Sequence, residues 1–266
     1  SVSLTADLYQ TAKENEVKVF VEFPLLNGKQ YVEEHPEAWP LNEKGEKAPP
    51  ADWFMGVCPT DAGFRSYRFE QLHTILKEYE VDGIWLDYVH WHAQFETAEP
   101  ILPETCFCQR CINSFGREMG IKVPEGEIAL RSSWILAEAD SLWRVWSSNV
   151  LTRWVSEMKT VVKENRPNAL LGIFYCSWFQ SDFGEALYRT LGLNLNELTG
   201  FVDVFSPVLF NGKMDRPVEW VHAYVELLNA LPGPTGKMPF IWPIVQAHNK
   251  PGVIRADEFY QVMQNG

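Results

Sequence analysis

Six strongly apolar runs alternate with stretches of helical spacing, and this alternation constrains the fold more than any other feature of the chain. The runs cover residues 17–23 (VKVFVEF), 53–58 (WFMGVC), 81–89 (VDGIWLDYV), 169–178 (ALLGIFYCSW), 201–210 (FVDVFSPVLF) and 239–246 (PFIWPIVQ). Runs that lack polar alternation are typical of strands covered on both faces, as in a parallel sheet lined by helices. Helical spacing falls over residues 4–15, 64–79, 132–165 and 217–231, and resumes near residue 256. Strand and helix in alternation predict right-handed crossovers and an α/β fold. No glycine-rich turn follows the first run, so the dinucleotide-binding fingerprint is absent. The order fits a (β/α)8 TIM barrel. Because the chain opens and closes on helical stretches, the expectation is one barrel domain over residues 1–266. It would lack the first and last strands and be a fragment of a longer protein.

Composition narrows the partners. The 266 residues are 46% hydrophobic, enough for one sizeable core. Acidic residues number 35 against 23 basic ones, a net charge of −12, and no Lys/Arg stripe interrupts that balance. Nucleic acid is therefore excluded as a partner, because phosphate binding needs a basic footprint. No run approaches the ~18 apolar residues of a membrane span. No signal peptide is recognisable at the start, although the chain opens on Ser1 and not on Met. Eleven tryptophans are more than a core hides with ease. Some are expected to line a cleft, where indoles stack on the apolar C–H faces of sugar rings. Trp143, Trp146 and Trp154 share a helical face and read as packing. Residues 33–50, rich in Pro, Glu and Lys, read as a solvated loop at the rim.

The cysteines are unevenly placed. Cys106, Cys108 and Cys111 form a C-x-C-x-x-C run, with Cys58 and Cys176 elsewhere. Three thiolates on one short loop can converge on a metal, and zinc takes four ligands in a tetrahedron. Cys58, at the predicted end of the 53–58 strand, sits beside the loop of the trio in a barrel and is the expected fourth ligand. Cys176 ends a more distant strand and reads as a small buried hydrophobe. Reduced thiols and a disulfide are the alternatives. A four-thiolate site has no open position for water, so its zinc would be structural. Thiolates kept for a metal suit a reducing compartment such as the cytoplasm.

In barrel enzymes the chemistry sits at the C-terminal strand ends. There the sequence offers Glu22, Asp87, Tyr88, His90, Trp91, Tyr175, Trp178, Asn211 and Gln246. Asp87 ends an otherwise apolar strand, so it faces either the mouth or a costly burial. Glycoside hydrolysis uses two carboxylates. Glu22 is the expected partner, with Glu96, Glu104, Asp182, Glu185 and Asp215 as other candidates. Tyr88, Trp91, Tyr175 and Trp178 would supply the sugar platform, with polar contacts from His90, Asn211 and Gln246. Asp82 and Asp203 begin their strands and belong to the stability face.

The segments VDGIWLDY (81–88) and CFCQRCINSF (106–115), with HPEAWPLNEKG (35–45) and CPTDAGFR (58–65), resemble a group of uncharacterised glycoside-hydrolase-like barrel proteins. The cysteine arrangement is also similar to that of the zinc-containing β-galactosidases of glycoside hydrolase family 42. That resemblance implies Cys58, Cys106, Cys108 and Cys111 as zinc ligands. It does not carry over that family's catalytic residues. Its strand-end Asn-Glu is here Leu86-Asp87-Tyr88, and its nucleophilic Glu falls at Gln246. A strand-four Asp nucleophile, as in α-galactosidase-like barrels, would give Asp87 that role. The expectation is a glycoside hydrolase acting on a carbohydrate. The alternative is a barrel that binds carbohydrate without cleaving it, its loop stapled by zinc.

Overall fold

The computed structural model describes residues 2–231, 238–250 and 254–265. The chain runs from α1 (Val2–Glu14) into β1 (Phe20–Pro24), then through α2 (Lys29–Glu34) and a 3-10 turn at Pro36–Ala38 to α3 (Ala62–Glu78). After β2 (Gly83–Asp87) come α4 (Gln109–Met119), α5 (Ile128–Glu138) and α6 (Asp140–Asn165). Next are β3 (Leu170–Cys176), α7 (Ala186–Arg189), α8 (Leu195–Leu198), β4 (Val204–Leu209) and α9 (Glu219–Asn229). Two short strands, β5 (Phe240–Ile241) and β6 (Ile244–Val245), precede α10 (Ala256–Asn265). No helix among the described residues is long and apolar enough to cross a membrane.

The sheet is parallel throughout, in the order β1-β2-β3-β4-β5, with β6 also paired to β4. It is a mixed α/β fold, and among the described residues the six strands form an open sheet and not a closed barrel. Strand alternation sets two faces. On one, Trp85 lies across Gly172, where a Cβ would come within 2.2 Å of its ring. Its indole N–H donates to Ser206 Oγ at 2.9 Å, and Trp242 stacks on it at 5.3 Å. On the other face Tyr175 and Phe205 meet, and Tyr175 packs toward Tyr224 of α9.

Several expectations need correction. Residues 53–58 are not a strand. Asp52 takes a left-handed φ of 55°, and Ala51 and Phe54 exchange both backbone hydrogen bonds, at 2.9 and 3.0 Å. The run therefore folds as a tight turn and then bridges Asn27 through Gly56. It is apolar because it lies against other loops, not because it sits within the sheet. Cys58 consequently precedes α3 and does not end a strand. The helical stretch from residue 132 is two helices, broken at Ala139 (φ −136°, ψ 18°), and the last apolar run is split where Pro243 has no N–H to donate. Residues 33–50 are solvated along much of their length, as expected, but the segment is anchored at a few buried positions. Ala38 and Ala48 are buried, and the Trp39 indole N–H donates to the Ala48 carbonyl at 2.8 Å.

Sequence chemistry accounts for the helix ends. Asp61 caps α3 by accepting from the Phe64 N–H at 2.9 Å. Gly120 closes α4 in the left-handed conformation, φ 68°. The tryptophans of α6 pack as expected. Trp143 stacks on Phe107 with centroids 4.8 Å apart, and the Trp154 N–H donates to the Pro59 carbonyl at 2.9 Å.

Candidate active site and thiolate cluster

Asp87 is the last residue of β2, and the register places Pro24 of β1 beside it and Glu22 two residues below. Glu22 and Asp87 share a sheet face by the two-residue period of the strand. Burial pushes the Asp87 carboxyl up to about 7, against a 2.7 Å hydrogen bond donated by the Tyr88 N–H. The charges of Glu22 and Glu96 add to the rise. Glu96 is itself paired with Lys213 Nζ at 2.6 Å. Tyr88 has a left-handed φ of 53°, which turns the chain sharply at the strand end. Its ring stacks on Phe54 at 5.4 Å. Burial first, then the negative charges of Asp87, Glu96 and Glu22, hold its phenol protonated.

The other predicted residues are placed differently. His90 is buried, donates through Nδ1 to the Trp91 carbonyl (2.7 Å), and is pushed down to about 4 by that burial, so it is neutral at pH 7. His92 is a structural clamp. Its Nδ1 accepts from the Gly56 N–H at 3.0 Å and its Nε2 meets the Pro49 carbonyl at 2.8 Å. Trp91 is buried, with its indole N–H donated to the Ser147 carbonyl at 3.1 Å. Tyr175 lies on the helix-facing side of the sheet. Trp178 is buried against Phe95 and Phe183. Asn211 donates to Glu258 Oε1 at 3.1 Å. The Gln246 amide accepts from the Lys213 N–H at 2.9 Å and donates to the carbonyls of His248 and Lys250. The structure thus gathers Asp87, Glu22 and Tyr88, with His90 behind them, and holds Trp91, Tyr175, Asn211 and Gln246 in other contacts. Trp53 and Gln94, not singled out by sequence, lie in a crevice beside Tyr88 and Glu96. Reading Trp53 as strand core concealed it, whereas the Asp52-Trp53 pair was a turn signal.

Cys58, Cys106, Cys108 and Cys111 are all buried, and their sulfurs lie within 4.8 Å of one another. The Cys58 sulfur is 3.6 Å from that of Cys108 and 3.5 Å from that of Cys111. A zinc tetrahedron with Zn–S of ~2.3 Å has sulfurs ~3.8 Å apart, so the four fit one ion. None of the five cysteines is in a disulfide. Backbone and side-chain donors face the sulfurs. The Leu41 N–H reaches Cys106 Sγ at 3.3 Å, and Thr60 Oγ1 lies 3.2 Å from both Cys58 and Cys111. Arg110 stands beside the cluster, salt-bridged to Asp61 at 3.0 Å. Burial works against its charge, yet Cys58, Cys108 and Asp61 raise its pKa. Hydrogen bonds from Cys106 and Cys111 hold Cys108 well below the usual thiol range. Four buried cysteines so arranged could bind a metal ion.

No family model matches the sequence, and no curated protein matches it. Solved structures do. The cold-adapted β-galactosidase from Rahnella sp. R3 superposes with a TM-score of 0.68 at 13% identity over 100% of this chain and 41% of that one. The glycoside hydrolase domain of PgaB (BpsB) from Bordetella bronchiseptica gives 0.68 at 12% identity, over 97% and 70%. Gan42B, a GH42 β-galactosidase from G. stearothermophilus, gives 0.66 at 13% identity, over 100% and 42%. The chain therefore spans about two fifths of the galactosidases it matches. At these identities the likeness establishes a glycoside-hydrolase-like fold.

Proposed function

We propose that the chain is the carbohydrate-handling part of a glycoside hydrolase of (β/α)8 type, with Asp87 as its proton donor. The observation that carries this reading is a half-buried strand-end carboxyl pushed up to about 7 on the same sheet face as a second carboxyl. A general acid works best when its pKa lies near the working pH, and perturbed carboxyls of this kind concentrate at functional sites. Glu22 serves as the second carboxylate. The two stand on one face of the sheet near the C-terminal ends of adjacent strands. Zinc in the four-cysteine site holds the surrounding loops and takes no part in bond breaking, because four thiolates leave it no open position.

The test is hydrolysis of a panel of aryl glycosides and natural oligosaccharides by wild type, Asp87→Asn and Glu22→Gln. Loss of ~10²–10⁴-fold in Asp87→Asn, with fold and metal content intact, is the expected result. Gln246, an amide bonded to Lys213, His248 and Lys250 where a second strand-end carboxylate would stand, favours a second reading, a barrel that binds carbohydrate without cleaving it. Saturable binding with no turnover on any substrate would establish that one instead.

A further inference from the structure

An ion pair links two loops at the C-terminal ends of the strands. Lys213, in the loop after β4, sets its Nζ 2.6 Å from Glu96, in the segment that follows β2. The lysine is firmly placed. Its backbone N–H donates to Gln246 Oε1 at 2.9 Å, and its ammonium stands 5.8 Å over the Phe210 ring. The loop around it is closed by the Met214 and Arg216 N–H groups, which donate to the carbonyls of Phe210 and Asn211. Glu96 has fewer backbone restraints. It lies on a loop closed at its base by Gln94 and Ile101, whose two backbone hydrogen bonds are each 2.9 Å. A fixed cation thus holds a carboxylate that is carried on a loop.

Glu96 shares a crevice with Tyr88, the residue after Asp87. Burial is the largest cause of the raised Asp87 carboxyl, and the charges of Glu22 and then Glu96 add to it. The other titratable groups around Asp87 come from three directions. Glu22 stands on β1, and the Tyr88 phenol, with His90 at a ring distance of 6.3 Å, follows β2. On β3, Cys176 shares the Asp87 face of the sheet, and Asp182 and Arg216, paired at 2.8 Å, act on that thiol. Glu22 and Glu96 bring negative charge to Asp87, and Lys213 is paired with one of them. Any movement of Glu96 changes the charge that Asp87 meets.

We propose that Lys213 is a positioning residue for Asp87: by pinning Glu96 on the β4 side of the strand ends, it fixes the negative charge that the Asp87 carboxyl meets. Gln246 acts one step further back, by holding the Lys213 backbone. The consequence for proton transfer rests on the reading of Asp87 as proton donor given above, whereas the electrostatic role stands without it.

The test is a carbon-detected NMR titration of the carboxyl groups in aspartate-labelled protein, with Asp87→Asn identifying the resonance. In wild type the Asp87 midpoint is expected at about 7. Lys213→Met frees Glu96 and should raise that midpoint by about 0.5–1 unit, the size of one charge moved a few ångströms at a half-buried site. Glu96→Gln should lower it, and Lys213→Met should then add nothing in the Glu96→Gln background. Lys213→Arg, which keeps the ion pair, should titrate as wild type. The two side chains are 31% and 22% exposed, so these variants are expected to fold, and the remaining aspartate resonances check it. The alkaline limb of hydrolysis should move with the midpoint across the same variants. An unchanged midpoint in Lys213→Met overturns the positioning role and leaves the hydrolase reading standing. An equal rise in the Glu96→Gln background also overturns it, because the charge of Lys213 would then act without Glu96. The expected shifts in a protein that hydrolyses no glycoside support the positioning role and remove the hydrolase reading. A wild-type midpoint near the ordinary ~4 overturns both.

Discussion

At the scale of single residues, Asp87 couples its proposed role to a stability cost. Its folded pKa of about 7 stands above the unfolded value near 3.9. Between about pH 4 and pH 7 the folded protein therefore holds a proton that the unfolded chain has released, and stability falls as pH rises through that window. Above it the ionised carboxyl costs up to ~4 kcal/mol, at ~1.4 kcal/mol per unit, a ceiling that water near the half-buried group lowers. Asp87→Asn should raise the melting temperature clearly at pH 8 and hardly at pH 4.5, while abolishing any hydrolysis. An unchanged difference at the two pH values would show that the carboxyl is not perturbed. His92 makes the opposite case. Its two ring nitrogens satisfy the Gly56 N–H and the Pro49 carbonyl, both inside the loop layer. His92→Phe keeps the ring and orphans both groups, so a loss of ~2–4 kcal/mol is expected in chemical denaturation. The sequence made Asp87 conspicuous because a lone carboxylate in an apolar strand has few innocent explanations. It made His90 and Trp91 look equally exposed, because nothing local distinguishes a loop residue facing a cleft from one folded back onto α6.

At the scale of elements, the thiolate cluster joins the irregular segment before α3 to the start of α4. Cys58 closes the docked loop before α3, Cys106 and Cys108 precede α4, and Cys111 lies within α4. The Leu41 N–H reaches Cys106, and the Phe107 N–H returns to the Leu41 carbonyl at 2.9 Å. Without a metal this layer would rest on a few backbone bridges and on buried thiols. Chelation is therefore expected to release one metal ion per chain and to expose residues 39–58 to limited proteolysis before the sheet unfolds. Release should be faster at lower pH, because protons compete for thiolates. Cys58→Ser should lose the metal and show the same cleavage. A metal-free protein that resists protease in this segment would show that the loop packs unaided. The strand runs at 81–89, 169–178 and 201–210 were legible because a sheet buried on both faces selects uninterrupted apolar sequence. The run at 53–58 obeyed the same rule for another reason, burial between loops. Helix α4 went unread because its first turn is made of metal-ligand spacing and not of an apolar stripe.

At the scale of the whole molecule, the open sheet leaves aromatic side chains without cover. Phe20 and Trp242 are each 41% exposed and Phe240 57%, all on the face where Trp85 and Trp242 stack. Phe20 meets both indoles edge-on, at 4.9 and 5.9 Å. The interior of a closed barrel is a packed core, whereas this sheet presents the corresponding side chains to water. A contiguous aromatic surface of this kind binds apolar probes. The 266-residue chain is therefore expected to bind an environment-sensitive dye such as anilinonaphthalene sulfonate while retaining a cooperative unfolding transition. Trp242→Ser with Phe20→Ser should remove most of that signal, and Trp53→Ala should not, because Trp53 stands apart on the loop layer beside Tyr88. The net charge of −12 repels the anionic dye, so binding that survives moderate salt and still depends on Trp242 reports the aromatic face and not charge. Dye binding that the double substitution leaves intact would place the exposed apolar surface elsewhere. In that case the face carrying Trp85 would be covered in solution, and the sheet would be more nearly closed than its strand pairing indicates.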